Sequence, residues 1–145
     1  MNIKFLSISM LCFLTNVTQG ATVTVDNYTN QSYTIEITSS GMCVPTQVQI
    51  KPAQRNIIKD IGPTCSVKEL RMLLTNPLIR YVETSDDPNK NFRISILNSR
   101  AMIVAGKGFV EKVFATNFDL NLFVSQQGYR NLSVEKDSGI ILFKN

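Results

Sequence analysis

The chain has 145 residues, with 15 Lys and Arg against 11 Asp and Glu, and it contains no histidine. A formal charge of +4 is far below the dense Lys and Arg content of a nucleic-acid binder, so none is expected as a partner. Without histidine there is no Ser-His-Asp triad, no Cys-His pair and no histidine-based zinc site, which excludes much of hydrolase and zinc-enzyme chemistry.

Residues 1–20 read as a cleaved secretory signal. Lys4 is the one charge before Asp26, an apolar run extends from Phe5 to Leu14, and a polar stretch ends in Thr18-Gln19-Gly20. Small residues at Thr18 and Gly20 place cleavage before Ala21. Cys12 follows Leu11 rather than a small residue, so it is read as part of the discarded segment and not as a lipid anchor. Removing these 20 of the 145 residues leaves 125, one ordinary domain at 21–145, and takes the charge to +3 with the loss of Lys4. No later apolar run reaches the ~20 residues of a membrane span, so the mature chain is expected to be soluble, secreted or periplasmic. Heavy use of Asn, Ile and Lys fits an AT-rich bacterial genome.

The mature region alternates apolar and polar residues in short runs, the mark of half-buried strands. Val23 and Val25 form a first run, and Tyr33, Ile35 and Ile37 a second. The turn-rich link 27–31 between them predicts that these two strands pair. Val48 and Ile50 form a third run, which Pro52 confines to an edge or ends. Ile57-Ile58 begins a short strand stopped by Gly62-Pro63.

Residues 67–75 fit two patterns. Ser66 and Glu69 form a capping box, with Val67, Leu70 and Leu74 on one helix face and Asn76-Pro77 as the stop. Leu70, Met72 and Leu74 also alternate as a strand would; one short helix is the favoured reading. Further on, Phe92, Ile94 and Ile96 alternate. Ala101–Ala105 and Phe109–Phe114 flank Gly106-Lys107-Gly108 as a hairpin. Leu120, Leu122 and Val124 alternate, and Leu132–Glu135 with Ile140–Phe143 makes a last hairpin. The unbroken run at 140–143 predicts a strand covered on both faces. Many short strands separated by turns predict a mainly β chain, an antiparallel sandwich or barrel-like domain.

Cys43 and Cys65 are the two cysteines of the mature region. An even count in an exported chain predicts a disulfide, stabilising by about 3 kcal/mol in the chain-entropy picture. Sequons occur at Asn27, Asn30 and Asn131.

No catalytic or metal-binding constellation emerges, and the sequence implies no cofactor. Asp87–Asn91 begins like a calcium loop, but Phe92 stands where the turn glycine belongs and Asn98 where the bidentate Glu belongs. Gly106-Lys107-Gly108 lacks the phosphate-loop frame and lies between strands. Basic residues cluster around Cys65 (Lys51, Arg55, Lys59, Lys68 and Arg71, against Asp60 and Glu69) and in residues 90–112, where Lys90 joins a candidate set of Arg93, Arg100, Lys107 and Lys112 with Glu111 as the single acid. That set predicts a surface for an anionic partner: a lipid head group, a glycan or an acidic protein. The leading expectation is a secreted, non-enzymatic binding module, of the kind a bacterium exports to act on a host or neighbouring cell. The alternatives are a small carboxylate-dependent glycan hydrolase, which needs two convergent acids, and a structural or accessory periplasmic protein joined through an open sheet edge. The sequence leaves the oligomeric state open.

Overall fold

The computed structural model describes residues 20–114, 119–126, 128–136 and 139–144. The export-signal assignment at residues 1–20 falls, apart from Gly20, outside the described residues. The chain is mainly β, with one short helix, and no described sheet closes into a barrel.

Its strands are β1 (Thr22–Asn27), β2 (Tyr33–Ser39), β3 (Thr46–Ile50), β4 (Ile57–Asp60), β5 (Val67–Met72), β6 (Ile79–Val82), β7 (Phe92–Asn98), β8 (Ala101–Gly106), β9 (Phe109–Phe114), β10 (Tyr129–Glu135) and β11 (Gly139–Lys144). The helix α1 spans Leu120–Gln126. A five-stranded sheet runs β4-β1-β7-β8-β9, a four-stranded sheet runs β3-β2-β5-β6, and β10-β11 is a separate hairpin.

The two larger sheets face each other over the main core. Val23, Val25, Ile94, Ile96, Met102 and Val104 enter it from one sheet, and Ile35, Ile37, Leu70 and Met72 from the other, all fully buried. On its far side the five-stranded sheet carries a second cluster. There Leu97, Ala101 and Ile103 meet Ile140, with Leu120, Phe123 and Val134 packed against them. Strand β8 lies between these two clusters, so all six of its residues are buried. Its hairpin with β9 closes through Lys107-Gly108, with Gly106 paired to Phe109. Gly108 holds a φ of +84°, and a Cβ on Gly106 would run into the Phe109 ring.

Three expectations are corrected and one omission is filled. First, β1 and β2 do not pair. β1 joins β4 antiparallel and β7 parallel, whereas β2 joins β3 and β5 in the opposite sheet. Each strand buries its own apolar face best by facing the other across the core. The 27–31 link is therefore a crossover between layers, and the architecture is a sandwich-like arrangement with one mixed sheet.

Second, residues 67–72 are strand and not helix. The register slips between Thr38 and Ser39, so Lys68 is an extra residue in β5. That bulge turns both Val67 and Leu70 inward although they lie three apart, which imitates helical spacing. Ser66 caps nothing; its hydroxyl donates to Ser40 Oγ at 2.6 Å.

Third, residues 120–126 are helix and not strand. Asp119 is its N-cap, accepting the Leu122 N–H at 3.0 Å. Leu120, Phe123 and Val124 face the protein while Leu122 is exposed. Fourth, the strand β6 has no counterpart in the sequence reading. The side chains of residues 141–144 lie outside the described residues, so the two-face burial expected at 140–143 rests on Ile140 alone, which is buried.

Cys43 and Cys65 form the expected disulfide, with Cα atoms 6.0 Å apart. It ties the β2–β3 loop to the link entering β5. Cys65→Ser should lower unfolding stability by about 3 kcal/mol, read from the urea midpoint. An unchanged midpoint, or two freely alkylated thiols in the native protein, would contradict that assignment.

Candidate functional site

A cavity of about 590 Å³ opens at one end of the sandwich. Its walls come from the β1–β2 crossover, the β7–β8 turn and α1. Tyr28, Tyr33, Leu97, Arg100, Phe123 and Gln126 are among the lining residues. Its size lies within the ~300–1,000 Å³ of ordinary ligand pockets.

The crossover wall is held by Asn27, which is fully buried. Its amide donates to the carbonyls of Gln31 at 2.6 Å and Lys51 at 2.9 Å. Its Oδ1 accepts from the Thr29 N–H at 3.0 Å and the Thr29 hydroxyl at 2.8 Å. Every polar group of that side chain therefore serves the loop, and the first sequon is inaccessible in the folded protein. Asn30 is exposed in the same loop, whereas the Asn131 side chain lies outside the described residues.

Tyr28 is fixed at both ends. Its hydroxyl donates to the Ile140 carbonyl at 3.3 Å, and the Arg55 guanidinium lies 3.3 Å from its ring centroid. Burial pushes the Tyr28 phenol above its ordinary pKa, against the nearby positive charge of Arg55. Tyr33 packs on the main core and donates its hydroxyl to Gln31 Oε1 at 3.3 Å; burial pushes its pKa up too. Across the cavity, Asn98 Oδ1 accepts the Arg100 backbone N–H at 2.7 Å, an Asx turn that fixes the backbone at Arg100.

The four basic residues singled out in the sequence do not form one patch. Arg93 lies on the outer face of the five-stranded sheet, as alternation predicts, but its guanidinium is paired 2.7 Å from the carboxylate of Asp26, which is 1% exposed. It also donates to Asn56 Oδ1 at 2.8 Å. Arg100 and Lys107 flank β8 at opposite ends, roughly 20 Å apart at ~3.3 Å per residue. Lys107 is at the hairpin tip, and Lys112 is exposed on β9 opposite Ile103. Of the four, Arg100 alone lines the cavity.

Its electrostatic state differs from that of most other arginines. Arg71 pairs with Glu36, Arg80 with Glu69 and Arg93 with Asp26. Among the described residues, the Arg100 guanidinium has no ion-pair partner. The cavity residues Tyr28, Tyr33, Gln31 and Gln126 carried no motif. They were hidden because three distant segments supply them, and the one available signal was the Asn-rich 27–31 link. No family model, curated protein or solved structure matches the chain.

Proposed function

We propose that this protein is an exported, non-enzymatic binding module whose ligand enters the end cavity and presents an anionic group to Arg100. The observation that supports it is a guanidinium with no ion-pair partner among the described residues, lining a cavity whose other walls are mostly amides, hydroxyls and aromatic rings, with Leu97, Leu122 and the single acid Asp119. The Asn98 turn fixes the backbone that carries Arg100, and its guanidinium, unlike that of Arg93, has no ion-pair partner among the described residues. The disulfide fits an oxidising compartment outside the cytoplasm.

A glycan hydrolase would need two convergent carboxylates. Among the described residues lining the cavity, Asp119 is the one acid, and its Oδ1 is occupied in capping α1. A structural role through strand addition would favour a long, bare edge. Among the edges of the two larger sheets, β4 and β6 are four residues long and β3 five, and the six-residue β9 carries Glu111 and Lys112 in mid-strand.

The test is binding to a panel of anionic probes: phosphatidylserine vesicles, sulfated glycans and polyuronates, across a salt series. Arg100→Glu should weaken binding about tenfold or more, the equivalent of about 1.4 kcal/mol, while Lys107→Glu stays close to wild type. Affinity should fall as salt rises. Equal effects of the two variants, or binding that ignores salt, would remove the proposal.

A further inference from the structure

We infer that the ligand is an acidic oligosaccharide of two or more units, lying across Tyr33 with one unit in each of two adjoining depressions. This deepens the reading of the end cavity as the binding site and rests on it.

The second depression, about 330 Å³, shares Gln31, Tyr33 and Ser99 with the first. The two therefore adjoin, with Tyr33 lining both. The new walls are Ser32, Thr34, Gln49, Leu73, Leu74 and Thr75. Together the depressions are too long for an isolated phosphate or a single head group to fill.

The lining chemistry selects among longer ligands. Amides and hydroxyls both donate and accept hydrogen bonds, as sugar hydroxyls do. An acyl chain would need a continuous apolar wall. A nucleic-acid strand would need a cation near each phosphate, and Arg100 is the one cation among the described lining residues. One guanidinium, with the single carboxylate of Asp119 as the only other charge among the described lining residues, suits a ligand with sparse acidic groups on a neutral, hydroxyl-rich frame. Tyr33 joins a flat apolar ring to a polar tip, which matches the alternating C–H and O–H faces of a pyranose.

Leu74 is a second, independent observation. It is fully exposed and holds a φ of +61°. A branched residue in the left-handed region costs of order 1 kcal/mol or more, and such strain clusters at ligand sites. Here it presents an apolar side chain at the wall of the second depression, where a sugar ring can cover it.

The experiment measures affinity by titration calorimetry for glucuronate and for neutral xylose oligomers of two to six units that bear a single glucuronate, with wild type, Arg100→Glu and Gln49→Glu. Gln49 is exposed on the edge strand β3 and touches only the second depression, so its isosteric change leaves the core alone. Affinity should rise at least tenfold from one unit to three, and Gln49→Glu should abolish that rise without altering monomer binding. Arg100→Glu should weaken both. Arg100-dependent binding that stays flat with length overturns the oligosaccharide inference and leaves the cavity reading standing. So does Arg100-dependent binding of phosphatidylserine vesicles or inorganic phosphate with none of the saccharides. Binding of every probe without dependence on Arg100 overturns both.

Discussion

Val104→Asp should leave the protein largely unfolded at neutral pH, whereas Lys107→Asp should shift stability by no more than about 0.5 kcal/mol. Both residues belong to the same hairpin, three positions apart, so the contrast isolates burial from local propensity. Val104 is fully buried between the two large sheets, in the cluster that holds Ile94 and Met102. An aspartate there loses the valine's packing and places an unpaired carboxylate where no water reaches it. The combined cost is more than about 4 kcal/mol. Domains of this size have ~5–15 kcal/mol in total, so little or nothing remains. Far-UV circular dichroism with urea titration reads the effect. Partial recovery near pH 3 should follow, because the protonated acid costs less to bury. A folded Val104→Asp protein with a wild-type midpoint would mean that β8 is not the strand covered on both faces.

The local pattern made much of this fold legible, and long-range pairing made the rest illegible. Val23 and Val25, Ile35 and Ile37, and Ile94 and Ile96 alternate because each strand presents one face to the main core. Which strands then sit side by side depends on contacts far apart in the chain, such as Val25 beside Ile94, and alternation carries no record of them. Two local patterns misled for specific reasons. The bulge at Lys68 spaces Val67 and Leu70 like a helix face, and Leu120, Leu122 and Val124 alternate by accident. In that second segment the informative spacing was Leu120, Phe123 and Val124 behind Asp119 as cap. The candidate site was legible only at Arg100. Its neighbours Tyr28, Tyr33 and Gln126 become neighbours through the crossover and α1. The charge excess that drew attention to Arg93 is offset by Asp26, an acid 67 residues earlier in the chain.

Lys90→Met should destabilise the protein by about 3–5 kcal/mol at pH 7, with a penalty that shrinks as the pH is lowered. The reason is Glu83, whose side chain is 5% exposed and lies 2.6 Å from the Lys90 ammonium. Tyr81 donates its hydroxyl to Glu83 Oε2 at 2.9 Å, and the Ser85 N–H donates to Oε1 at 2.8 Å. The Lys90 ammonium also sits 4.4 Å from the Phe109 ring centroid and 5.6 Å from that of Phe92. Phe109 stacks on Tyr81 and meets Phe92 edge-on, so an aromatic wall encloses the pair. Burial alone would push the Glu83 carboxyl up. The hydrogen bonds from Lys90, Ser85 and Tyr81 outweigh it and hold the pKa down at about 2. A carboxyl depressed on folding stabilises the native state fully above its ordinary value near 4.5, and that stabilisation is lost as pH falls through about 2. At ~1.4 kcal/mol per pKa unit, the depression is worth about 3 kcal/mol. Without Lys90 the burial effect gains ground, so Glu83 takes up a proton at a higher pH than in the wild type. The two proteins should therefore converge in stability between that point and pH 2. Replacing the carboxylate as well, in Glu83→Gln/Lys90→Met, should recover most of the loss at pH 7, since a neutral amide still accepts hydrogen bonds and leaves no buried charge. Urea midpoints from pH 2 to pH 8 give the comparison. A difference independent of pH, or a double variant as unstable as Lys90→Met, would mean that the loss of packing against Phe109, and not the orphaned carboxylate, sets the cost.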